Sequence, residues 1–99
     1  MKYGLTPVCV SKITSVLVKF LNVHRTLIYG SRALGTYKNG SDIDLVLVGP
    51  SLTTTDLLKI ENLLDDLMLP YKIDLSLHHQ IENADLIEHI TRVGLEFKV

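Results

Sequence analysis

The chain of 99 residues has little that would staple, anchor or disorder it: one cysteine, no tryptophan, three prolines and six glycines. A single thiol, Cys9, forms no internal disulfide, which points to a reducing compartment, the cytoplasm. Long apolar runs are missing too. The stretch 45–48 is among the longest, far short of the ~20 residues a spanning helix needs, so no membrane role is expected. Residues 1–20 lack a signal-peptide layout, because Lys12 and Lys19 interrupt the apolar stretch and no small-residue cleavage site follows. Acid is absent from the first 41 residues, which carry Lys2, Lys12, Lys19, Arg25, Arg32 and Lys38. The remainder holds all eleven Asp and Glu against four Lys and Arg, so the net charge is only −1. Without a basic surplus, broad nucleic-acid binding is not expected. An apolar content of 46 % excludes a disordered tail and supports one globular domain spanning residues 1–99.

What is present falls into a clear order of elements. Thr6-Pro7 reads as an N-cap followed by proline at the first helical position. Val10, Ile13, Leu17, Phe20 and Leu21 then recur at helical spacing, predicting a helix over 7–22. Residues 25–29 read as a short strand, Gly30-Ser31 as the turn that ends it, and 32–34 as a helical stub stopped by Gly35. Asn39-Gly40 marks a tight turn, and 42–48 is the best strand in the chain. Thr53 and Asp56 form a capping box ahead of a helix with Leu57, Ile60, Leu64 and Leu67 on one face, limited by Pro70. A third strand is expected over 71–77. A last helix follows, capped by Asn83 and striped by Leu86, Ile87, Ile90 and Val93, with Gly94 at its end. Residues 95–99 add a short edge strand or trail. The fold class expected is α/β (α+β): a small mixed sheet with helices packed mainly on one face. Its second and third strands are parallel across a helical crossover, and its first and second antiparallel.

Two carboxylates stand at i and i+2 of the second strand. Strand geometry puts Asp42 and Asp44 on one side, roughly 6–7 Å apart, with Ile43, Leu45 and Leu47 on the other. Asp74 repeats the pattern between Ile73 and Leu75. If the third strand lies beside the second, three acids meet on one patch, where mutual repulsion raises their pKa values unless a cation intervenes. Oxygen donors without Cys or His point to Mg²⁺ or Mn²⁺. Three separate, solvated strand acids are the competing reading. Ahead of them, Gly30-Ser31 lets a phosphate approach the backbone and offers a hydroxyl, with Arg32 and Lys38 as nearby positive charge. The turn lacks the Gly-Lys-Ser/Thr of a P-loop.

Gly30-Ser31, ten residues, then Asp42-Ile43-Asp44 is similar to the motif of the DNA polymerase beta-like nucleotidyltransferases. The stretch GSRALGTYKNGSDIDLVLVG resembles their minimal nucleotidyltransferase (MNT) branch, and Asp74 matches the third carboxylate. The likeness covers about residues 7–99. It departs at Leu34, where the family often carries arginine, which leaves one cation fewer for the triphosphate. The resemblance implies catalytic and metal-binding roles for Asp42, Asp44 and Asp74, with two Mg²⁺ ions and ATP as substrate. It implies nucleotide binding by Gly30, Ser31 and Arg32. A hydroxyl would attack the α-phosphorus and pyrophosphate would leave toward the Gly-Ser turn.

Members this short resemble the antitoxins of HEPN/MNT toxin–antitoxin pairs, which implies a small helical HEPN-type partner in a hetero-oligomer and transfer of AMP to its tyrosine. Two other readings stay open: a module that neutralises the partner by contact alone, and the catalytic subunit of a two-component, aminoglycoside-like small-molecule nucleotidyltransferase. A metal-dependent nuclease fits less well, since no E-x-K follows the acids. His78-His79 reads as a solvated loop pair, His24 and His89 as helix-end and helix-surface residues, and Cys9 as core. Tyr37 stands in the turn before the acids, where it would meet a base or a partner.

Overall fold

A computed structural model describes residues 1–98. Its first helix, α1 (Pro7–Leu17), starts as the sequence prescribes: Thr6 Oγ1 accepts the Cys9 N–H at 3.2 Å and Pro7 takes the first helical position. It ends one turn and more before residue 22. From Val16 on, the bonds tighten to i−3, with Lys19 N–H donating to Val16 O and Phe20 N–H to Leu17 O. The chain has to turn there, because His24 N–H is bonded to Val48 O at 2.8 Å and the Asn22 carbonyl lies against Gly49. Phe20 folds back onto the core, while Leu21 is left 91 % exposed.

Strand β1 (Arg25–Tyr29) runs straight into the stub α2 (Gly30–Leu34), which Gly35 closes in the left-handed conformation at φ 82°. The turn at Lys38–Ser41 is closed by Ser41 N–H donating to Lys38 O and by Lys38 N–H donating to Ser41 Oγ. Strand β2 is Ile43–Val48, so Asp42 lies one residue ahead of it instead of inside it. Helix α3 (Thr54–Asp65) carries the complete capping box: Asp56 N–H donates to Thr53 Oγ1 at 3.2 Å and Thr53 N–H to Asp56 Oδ2 at 2.9 Å. Strand β3 is Ile73–Leu77, shorter than the expected 71–77, and a 3₁₀ turn over His78–Gln80 follows. Asn83 caps α4 (Ala84–Val93), and β4 is only Leu95–Glu96. Of the expected 95–99 edge segment, Val99 lies outside the described residues.

The strands form one mixed sheet in the order β3-β2-β1-β4. β1 is antiparallel to β2 and to β4, and β2 is parallel to β3, as the connection lengths require. Helices α1 and α3 share one face. Their Ile13, Leu17, Ile60 and Leu64 bury Ile28, Ile43, Leu45, Leu47 and Leu77 of the sheet. Helix α4 takes the opposite face, where Ile90 packs on Tyr29 and Val46. The apolar stripe of α4 revealed that it is buried, but a stripe does not say on which face of a sheet it lies.

Candidate active site

Alternation along β2 decides which side chains face the chemistry. Ile43, Leu45 and Leu47 are fully buried against α1 and α3, so Asp44 and Val46 project to the α4 face. Val46 is covered there by Ile90. Asp44, nearer the strand's start, is only half-buried. Pairing then builds a row across three strands, since Tyr29 of β1 stands opposite Asp44 and Asp44 opposite Asp74 of β3. Parallel neighbours in register lie about 4.8 Å apart in the sheet, so these two carboxylates are adjacent. Asp42 precedes Asp44 on the same side, and both Asp42 and Asp74 are exposed.

The Gly-Ser turn sits against this row. Gly30 holds φ +70°, a conformation side-chain-bearing residues rarely adopt, and a Cβ there would land on Asp44 Oδ2. Glycine is required twice over, for its backbone angle and because the Asp44 carboxylate already fills the place a Cβ would take. Asp44 feels the crowding. Its carboxyl is pushed above the ordinary 3.8, first by burial and then by the charges of Asp74 and Asp42; the charge of Arg32 pulls it partly back. Tyr29 is raised likewise, first by burial and also by the charges of Asp44 and Asp74, while Ser76 pulls it partly back.

Two side chains lie elsewhere than the sequence implied. Arg32 was expected to reach a triphosphate, yet it is 3 % exposed. Its Nε and Nη2 donate to Ser41 O at 3.1 and 2.8 Å, and Nη1 donates to Tyr3 O at 2.9 Å. Its guanidinium also lies 5.3 Å from the ring centroid of Tyr37 and 4.8 Å from that of Tyr71. In this position it pins the carbonyl just before Asp42. Tyr37 is accordingly a partner of Arg32 in the fold. His89, read as a helix-surface residue, is half-buried instead, and its Nε2 accepts the Gly30 N–H at 3.2 Å. Its sequence signal was faint: it stands three residues after Leu86 and next to Ile90, on the flank of the stripe. Leu34 is 54 % exposed on α2. Cys9 is buried, and burial pushes its thiol up, as expected of a core residue.

Among the described residues, no three His, Cys, Asp or Glu side chains are drawn around a single point. The acids form an open row instead of a closed cage. Their chemistry nonetheless fits a hard divalent cation: the donors are all oxygen, and the central one is destabilised by its two neighbours. A hollow of about 370 Å³ beside Phe20, Arg25 and Phe97 is lined by none of these acids. No helix among the described residues is long and apolar enough to cross a membrane.

The family model described as "Polymerase beta, Nucleotidyltransferase" matches residues 11–97. No curated protein gives a significant match in sequence. Several solved structures share the fold. A toxin–antitoxin crystal structure with AMP-PNP superposes with a TM-score of 0.73 at 19 % identity, covering 90 % of this chain and 72 % of that one. The MntA–HepT toxin–antitoxin gives 0.69 at 15 % identity, over 94 % and 72 % of the two chains. A complex of the tri-AMPylated Shewanella oneidensis HEPN toxin with its MNT antitoxin gives 0.68 at 15 %, over 92 % and 70 %.

Proposed function

The chain belongs to the polymerase beta nucleotidyltransferase family, and from that premise we propose that residues 1–99 form a single minimal nucleotidyltransferase domain that transfers AMP from ATP to a tyrosine hydroxyl of a small HEPN-type toxin, acting as its antitoxin. The observation that carries this reading is the register of Asp44 beside Asp74, with the Gly30 turn pressed against Asp44. Carboxylates from two adjacent strands stand side by side, and the turn packs directly against one of them because position 30 has no side chain. The similar solved chains support the partner: they include an MNT antitoxin bound to a HEPN toxin carrying AMP groups, and a toxin–antitoxin with an ATP analogue.

Asp42, Asp44 and Asp74 would hold Mg²⁺, which when bound neutralises phosphate charge and acidifies the attacking hydroxyl. The rest falls to this chain's own groups. Ser31 Oγ–H donates to a phosphate oxygen at the turn. Gly30 lets the turn pack directly against Asp44. Asp42 and Asp74, both exposed, leave the row accessible to a tyrosine presented by another protein, whose oxygen forms the new bond to the α-phosphorus as the bond to pyrophosphate breaks. Arg32 acts at one remove, holding Ser41 and so the start of the carboxylate strand.

A second reading has one observation in its favour. Leu34 is an exposed apolar side chain on the stub that follows the Gly-Ser turn, a place suited to contact. In that reading the chain neutralises its partner by binding alone. The test uses ATP labelled at the α- or at the γ-phosphate, with Mg²⁺ and the partner. Transfer requires the α-label on the partner, the γ-label in released pyrophosphate, and loss of both in the Asp42→Asn, Asp44→Asn double variant. Neutralisation that persists without label supports the contact reading.

A further inference from the structure

We propose that His89 is a positioning residue for nucleotidyl transfer, holding the Gly30-Ser31 turn in place through the bond from the Gly30 N–H to its Nε2. This inference rests on the function proposed above and assigns a role within that same site.

The turn needs an external hold. It begins α2 directly from β1, and Tyr29, at the N-cap position, makes no side-chain capping bond. Glycine at φ +70° is the least restrained residue that could stand there. A half-buried N–H without an acceptor costs about 1–3 kcal/mol, and the acceptor here comes from a different element, α4. Ile90, 2 % exposed, fixes α4 on Tyr29 and Val46. The neighbouring His89 ring lies edge-on to the Tyr29 ring, with centroids 6.0 Å apart and planes at 80°. The imidazole is therefore oriented by the residue just before the one it holds. A nitrogen that accepts carries no proton, so the bond uses the imidazole tautomer with its hydrogen on Nδ1.

Two consequences follow for the site. The Gly30 N–H is spent on His89, so Ser31 is the residue of the pair left to donate to a phosphate. The turn also abuts Asp44 with no clearance for a single added carbon, so any drift of Gly30 displaces Ser31 and the carboxylate relative to each other.

The test compares His89→Gln, whose amide oxygen can accept, with His89→Phe and His89→Met, which offer no comparable acceptor. Three quantities are read: amide exchange at Gly30, binding of AMP-PNP with Mg²⁺ by calorimetry, and the KM and kcat of AMP transfer. The Phe and Met variants are expected to lose Gly30 protection. They should bind AMP-PNP about threefold to tenfold more weakly, the worth of one hydrogen bond, with KM rising in step. The Gln variant should recover both. If Phe and Met lose protection but bind and turn over as the wild type does, the bond is purely structural and the inference fails. It fails equally if Gln is as impaired as Phe. A wild-type protein that neither binds AMP-PNP nor transfers AMP overturns the functional reading beneath it, a result distinct from an indifferent His89 in an active enzyme. Should Phe disrupt folding, Met carries the comparison at closer volume.

Discussion

Replacing Arg32 by Met separates two accounts of the same residue. In the structure the guanidinium makes three N–H···O bonds to the carbonyls of Ser41 and Tyr3 at 2.8–3.1 Å. It also lies near the faces of Tyr37 and Tyr71. Methionine keeps most of the apolar stem and removes the charged head. Each carbonyl left without its donor costs about 1–3 kcal/mol, and the two ring contacts add about 0.5–2 kcal/mol between them. Relief from burying a charge offsets part of this. The net loss comes to about 3–5 kcal/mol, which at ~4–8 °C per kcal/mol for a domain of this size lowers Tm by roughly 12–40 °C. Arg32→Lys keeps the charge but not the fork that spans both carbonyls, so it should fall between. Circular dichroism melts of nucleotide-free protein measure this directly. If Arg32→Met melts within about 3 °C of the wild type while AMP-PNP binding collapses, the guanidinium faces the triphosphate and the structural account is wrong.

Other consequences follow from the same geometry. Asp44→Asn should raise the Tm of metal-free protein at neutral pH, because the charged form of Asp44 is disfavoured by burial, Asp74 and Asp42. A raised folded-state pKa means the penalty is present at higher pH. The gap to the wild type should therefore narrow as pH falls through the folded pKa and vanish below the ordinary 3.8. Mg²⁺ should reverse the order by stabilising the wild type alone, as paired melts will show. Gly30→Ala, which forces a methyl onto Asp44 and a strained φ, should cost about 1–3 kcal/mol and abolish transfer, whereas Gly40→Ala, with open space around it, should retain transfer. Cys9, buried with its thiol pushed up, should react with a thiol reagent far more slowly in the native protein than in denaturant.

Much of this was legible because local rules and tertiary demands agreed. The alternation through Ile43, Leu45 and Leu47 set the face of Asp44, and the lengths of the connections set antiparallel β1–β2 and parallel β2–β3. Thr6-Pro7, Thr53 with Asp56, and Asn83 cap their helices as their chemistry dictates. What escaped depended on contacts remote in sequence. Arg32 reads as a phosphate-binding cation until Tyr71 and Tyr3 are seen to close around it. His89 reads as helix surface until α4 is known to lie across the face that carries Tyr29 and Gly30. The end of α1 was overrun because Phe20 and Leu21 continue its period, while the tie from His24 to Val48 bends the chain away. Neither the arginine's shelter nor the helix's early stop leaves a trace in spacing alone.

The most direct test follows the α-phosphate. Wild-type protein and Asp44→Asn are each incubated with α-labelled ATP, Mg²⁺ and the HEPN-type partner, and the label on the partner is mapped by residue. The account predicts label on a partner tyrosine with the wild type and none with the variant. A partner silenced equally by both proteins without label, or labelled equally by both, would contradict it.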